Sequence, residues 1–187
     1  YFLENDTILL SGKILRKKEE IYKHETSLIK DSTNTLFHRK EIYDRKQWLD
    51  ETTTFRNILE KDEVNPKLYQ TFIFPEKHFD EINYSPFLVC DKNLYEQNIY
   101  KIIVKTPYDF EFYEYYDILT KQKLLTEKVV NDTIVETYEY SDYELLENGV
   151  SLPMTIYQTS QNYKIKLQIK QIDYETKLKL KEFKISN

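Results

Sequence analysis

Glycine is nearly missing from these 187 residues, with Gly12 and Gly149 the only two. Loops that cradle phosphate and the first turns of dinucleotide folds need clustered glycines, because only a bare backbone approaches the phosphate closely. A nucleotide-dependent activity is therefore not expected. Cysteine occurs once, as Cys90, so an intrachain disulfide is excluded. Its setting in Phe87-Leu88-Val89-Cys90 predicts a buried thiol acting as a small hydrophobe, and no local signature marks it as a nucleophile. No apolar run approaches the roughly 18 residues that a membrane-spanning helix requires. His24, His38 and His78 lie far apart, without a second ligand at helical spacing, so no metal or other cofactor is expected. His24 and His38 can still face one another across a first hairpin.

What is plentiful is aromatic: 17 Tyr and 10 Phe. Aromatic and β-branched side chains suit a pleated, half-buried surface. A single domain over residues 1–187 is expected, since domains typically run to about 100–200 residues. A chain of this size buries roughly 70% of its unfolded surface and needs no covalent staples. The net charge of −5 argues against nucleic acid unless the basic residues gather on one face. Lys164, Lys166, Lys170, Lys177, Lys179 and Lys181 do form a basic strip near the end. Lysines on a solvated face protect a sheet edge against aggregation, and an anionic partner such as a lipid headgroup is the alternative.

Along the chain, from Asp6 to about Arg16, Ile8, Leu9, Leu10, Ile14 and Leu15 suit a short helix or a first strand, and Glu20–Lys30 with Asn34–Arg45 read as a polar hairpin. Gln47–Glu51 starts a third strand. Helices are expected over Thr52–Asp62, with Phe55, Ile58 and Leu59 on one stripe, and over Pro75–Ile82, with Phe79 and Ile82 turned inward. The region 62–91 is the least regular. Seven strands follow: Ile99–Thr106, Phe110–Ile118, Gln122–Val130, Thr133–Tyr143, Ser151–Thr159, Tyr163–Ile172 and Lys179–Ile185, the last with a bulge near Lys181. In Tyr163–Ile172, Tyr163, Ile165, Leu167 and Ile169 alternate with polar residues, the period of a sheet with one apolar face. The short turns Asn131-Asp132 and Asn148-Gly149 tolerate positive φ and join antiparallel neighbours, which makes a meander. Tyr138 and Tyr140 are expected to share a face with Ile134, and Tyr113 and Tyr115 to share another.

The stretch from Tyr115-Tyr116-Asp117 through Thr120-Lys121 to Leu124-Leu125 resembles a strand-turn-strand phrase of bacterial envelope proteins. Tyr143, followed by Asn148-Gly149-Val150-Ser151-Leu152-Pro153, is similar to a second hairpin of the same group. Together these resemble the lipoprotein carrier and receptor family (LolA/LolB-like) and its outer-membrane lipoprotein-sorting relatives, over roughly Ile99 to Ile185. Lys121 stands where that family often has Gly. The resemblance implies a mainly β fold with a few short helices (α+β): a curved antiparallel meander forming an open half-barrel lidded by helices. It implies a location in the cell envelope, periplasmic or outer-membrane-associated.

The expected function is non-enzymatic: binding a lipid or the acyl chains of a lipoprotein in the concave face. Candidate cavity residues are Leu152, Met154, Ile156, Ile165, Leu167 and Ile169, with Phe55 and Phe79 from the lid. The partners expected are that hydrophobic ligand and an envelope protein, with no nucleic acid. The chain begins at Tyr1 without methionine, and a removed N-terminal segment carrying a secretion signal or lipid anchor is expected. The alternative is a structural or protein-interaction domain with a filled core and no cargo. A hydrolase ranks third. Asp109, Glu111, Glu114 and Asp117 crowd among tyrosines, but a glycosidic pair needs carboxylates about 5–10 Å apart in a cleft.

Overall fold

The computed structural model describes residues 10–17, 21–29, 35–44, 47–52, 54–60, 64, 75–80, 82–94, 97–147, 149–172 and 185. Most of them lie in antiparallel strands, with almost no helix among the described residues. The chain divides into two compact units, residues 1–78 with 176–187, and residues 79–175.

The first unit holds β1 (Leu10–Lys17), β2 (Ile21–Ile29), β3 (Thr35–Tyr43), β4 (Gln47–Thr52) and β5 (Arg56–Glu60), hydrogen-bonded in that order. Leu10 onward thus resolves as strand. Ile42 and Leu49 form its buried cluster, with Ile58 and Ile185 packed against them, and Tyr43 lies 6.2 Å from Trp48 ring to ring. The helix expected over Thr52–Asp62 is instead a turn followed by β5. Thr52 Oγ1 accepts hydrogen bonds from the amides of Thr54 and Phe55, which reverses the chain. Ile58 then pairs with Leu49 and Leu59 with Trp48, two neighbours buried on opposite faces of β4. A strand pairs with residues on both faces of β4, where a one-sided helix would cover only one. Phe55, left at the turn, is 50% exposed. The two histidines do not meet either: His24 pairs with Glu41, Nδ1 to Oε2 3.4 Å, and His38 with Ser27.

Pro75 does begin a helical turn, but a short 3₁₀ one, Pro75–His78. Phe79 and Ile82 are buried as expected, at 6% and 2% exposure.

The second unit is a seven-stranded sheet. Its strands are β6 (Ser85–Leu94), β7 (Gln97–Lys105), β8 (Glu111–Asp117), β9 (Lys123–Val130), β10 (Thr133–Leu145), β11 (Ser151–Ser160) and β12 (Lys164–Gln168). Spatial order follows sequence order, so the meander is as expected. β6 is additional: it occupies a stretch read as irregular, and Phe87, Leu88 and Val89 on it are exposed. Phe87, Leu88 and Val89 are therefore no buried segment, and the burial expected for the Cys90 thiol lies outside what is described. β12 is shorter than its alternation suggested. The strand expected over Lys179–Ile185 and its bulge lie outside the described residues, Ile185 excepted.

Turn chemistry sets the hairpins. Asn131 and Asp132 take φ of 48° and 59°, the left-handed pair that a tight two-residue hairpin demands, and Gly149 takes 80°. In the β8–β9 turn, Asp117 Oδ1 accepts from the amides of Leu119 and Thr120, and Lys121 is held at φ 60°. A bulge between Ile134 and Glu136 flips the alternation of β10. Ile134 pairs with Val129, whereas Glu136 pairs with Lys128 on the opposite face, so Ile134 does not share the face of Tyr138 and Tyr140. The two sheets are open and neither closes into a barrel.

Candidate functional site: one face of the second sheet

Register partners in an antiparallel sheet share a face, so the pairings define rows of side chains across it. One row runs Leu88, Ile102, Glu114, Thr126, Tyr138, Gln158 and Ile165 from one edge of the sheet to the other. It is apolar at both ends and polar in the middle. The wet centre is well connected. Glu114 is wholly buried, accepts from Lys123 Nζ at 2.9 Å and from Tyr116 Oη at 2.7 Å, and forms an ion pair that sequence alternation alone did not reveal. Tyr140 Oη donates to Thr126 Oγ1 at 3.3 Å.

Toward β12 a second cluster forms around Glu136. Its Oε1 accepts from Tyr163 Oη at 2.6 Å and from Gln158 Nε2 at 2.5 Å, and the same amide reaches the hydroxyls of Tyr138 and Tyr163. Burial pulls the Glu136 carboxyl upward, but hydrogen bonds from Tyr163, Tyr138 and Gln158 and the charge of Lys128 outweigh it. The group is held below its ordinary value and stays ionised at neutral pH. Burial, then the hydrogen bond to Glu136, pushes the Tyr138 hydroxyl far above its usual range.

Six of the eight candidate residues come together on this face. Leu152, Met154 and Ile156 alternate along β11, and Ile156 pairs with Leu167 while Gln158 pairs with Ile165. The amide of Ile169 donates to the carbonyl of Met154, extending the match past the end of β12. All are partly buried except Leu167, which is 45% exposed. The result is a two-strand apolar strip about 13 Å long from Leu152 to Ile156. The other two lie elsewhere: Phe55 at the β4–β5 turn of the first unit, and Phe79 in an aromatic core with Tyr84 at 6.4 Å. Between this strip and Leu88 with Ile102 at the opposite edge, the middle of the face is polar.

A hollow of about 260 Å³ opens beside Met154, lined also by Leu145, Leu146, Ile172, Glu144, Glu147 and Lys170. Ligand pockets for whole drug-sized molecules run to about 300–1,000 Å³, so this one is smaller than such a pocket. Among the described residues no group of three or more His, Cys, Asp or Glu is placed to hold a metal ion. No helix among them is long and apolar enough to cross a membrane.

No protein-family model matches the chain, and no curated protein matches it. Solved structures do. A structure described as an outer membrane lipoprotein-sorting protein domain from Vibrio parahaemolyticus superposes with a TM-score of 0.65 over 95% of this chain and 82% of its own, at 12% identity. The fold is LolA-like. A LolA superfamily protein from Nitrosomonas europaea matches at a TM-score of 0.50, covering 88% of this chain and 84% of its own at 8% identity. A DUF1329 family protein from Desulfovibrio piger matches at 0.60, over 94% of this chain and 80% of its own at 9% identity. The LolA-like resemblance first carried by Tyr115–Leu125 and Tyr143–Pro153 is therefore a resemblance of the fold. At such identities it extends to nothing finer.

Proposed function

We propose that the protein is a non-enzymatic binder of a hydrophobic ligand, a lipid or the acyl chains of a lipoprotein, in the cell envelope. The observation that carries this reading is the strip of Leu152, Met154, Ile156, Ile165, Leu167 and Ile169, left partly open on a sheet of LolA-like fold. Each methylene that leaves water for such a surface contributes roughly 0.8 kcal/mol. The hollow beside Met154 would take the far end of the chain, and no helical lid over Thr52–Asp62 is required. Treating residues 1–187 as one domain belongs to the same proposal, supported by a structural match that spans 95% of the chain. Periplasmic or outer-membrane placement is inferred from the same neighbours.

The test uses an uncharged fluorescent probe of apolar sites, N-phenylnaphthylamine, together with native mass spectrometry of gently purified protein. Binding is expected, and Leu167→Asp, a change at a half-exposed position, should weaken it about tenfold by placing a charge on the strip. A protein that is cargo-free and also ignores the probe would refute the reading.

A second reading, a protein-interaction domain, is favoured by one feature. Phe87, Leu88 and Val89 are exposed on β6, the terminal strand of its sheet. Retained probe binding after Phe87→Ser and Leu88→Ser, with loss of a co-purifying protein, would separate that surface from the strip.

A further inference from the structure

The apolar strip ends in a built polar cluster, and the two together define the kind of ligand the site takes. Along β11 the residues of the strip face run Leu152, Met154, Ile156 and then Gln158, so the character changes from apolar to polar at one step. At that step the carboxylate of Glu136 is gathered by Tyr163, Tyr138 and Gln158. We propose that the site selects an amphiphile with a single alkyl chain and a cationic, hydrogen-bond-donating head, such as a primary ammonium. The chain lies along Ile156 and Leu167, and the head sits at Glu136 and the Tyr163 hydroxyl. This rests on the reading of the strip as a ligand surface and adds the chemistry of the head.

The argument is one of charge and access. The cluster is a carboxylate ringed by hydroxyls, and its donors fix it in the ionised form. Tyr163 is 38% exposed, so the cluster opens to solvent where a head group would arrive. The cation that bears on Glu136 from within the sheet is Lys128, whose Nζ lies over the Phe110 ring at 4.6 Å from its centroid. A ligand carboxylate would meet Glu136 as a like charge. An ammonium would complete the set with an opposite one.

The experiment compares dodecylammonium with dodecanoate, each below its micellar concentration, by calorimetric titration of the full chain at pH 7. The ammonium is expected to bind about tenfold more tightly, the scale of one added charge-assisted hydrogen bond. Glu136→Gln should bring the two within about threefold of each other. Tyr163→Phe, which removes one contact to the head but keeps the charge, should narrow the ammonium's preference without abolishing it. A preference unchanged in this variant places the head elsewhere, and that result decides the matter if Glu136→Gln fails to fold. Equal binding of both amphiphiles by the wild type, or a preference for dodecanoate, overturns the head assignment while leaving the strip in place. Binding of neither removes the strip reading itself.

Discussion

Replacing Lys123 with Met should be among the most damaging single changes in the second sheet. The Glu114 side chain is 0% exposed and that of Lys123 14%, with 2.9 Å between Nζ and Oε1. The surroundings shield this pair from water, so the desolvation of the carboxylate is offset chiefly by the ammonium and by the Tyr116 hydroxyl. Taking the cation away while the carboxylate remains typically costs about 3–5 kcal/mol. For a chain of this size that corresponds to a melting temperature lower by roughly 6–20 °C. Neutralising both groups removes the uncompensated charge, so Glu114→Gln combined with Lys123→Met should be less damaging than the sum of the two single changes. A coupling of at least about 1 kcal/mol is expected for groups in direct contact. Urea unfolding followed by circular dichroism measures all four proteins of the cycle. A loss below about 1 kcal/mol for Lys123→Met, or strictly additive effects, would refute the placement of a buried pair at the centre of the face.

Two further outcomes follow from the geometry. Burial raises the hydroxyls of Tyr84, Tyr115 and Tyr138 above the ordinary value of 10.0, so each favours the folded state only while protonated. Their contribution is full below pH 10 and is lost as the pH climbs past it, so denaturant stability should hold to about pH 9 and then fall, with phenolate absorbance appearing late. Stability that stays level to pH 11 would contradict it. At the β8–β9 turn, Lys121 sits at φ 60°, with its Nζ 4.6 Å from the Tyr100 ring centroid. Lys121→Gly should be nearly neutral, because backbone relief offsets the lost contact, whereas the β-branched Lys121→Val should cost about 1–2 kcal/mol in thermal or urea unfolding.

The hairpins from Ile99 onward were legible because each turn carries its own chemistry: Asn131-Asp132 and Gly149 adopt the positive φ that their identities allow. Over Thr52–Asp62, Phe55, Ile58 and Leu59 fit a helical stripe locally. The competing fact, buried partners on both faces of β4, is visible only once the strands are paired. From sequence alone Pro86 argues against a strand where β6 lies. In the structure that proline sits on the terminal strand, the place where a missing amide donor is tolerated. The six strip residues were found by simple alternation. In the sequence Glu114 stands out only as one of four carboxylates crowded among tyrosines, and Glu136 not at all, since only the register brings Lys123 to one and Gln158 and Tyr163 to the other. The bulge before Glu136 carries no sequence mark, yet it decides that the carboxylate, and not Ile134, faces the strip.

The strictly sequential order of the second sheet has a kinetic consequence. No strand from β6 to β12 has to wait for a distant piece of chain, because each one docks on the strand made just before it. Closing short loops costs little entropy, so assembly can start at any tight hairpin and zip outward in both directions, quickly for an all-β architecture.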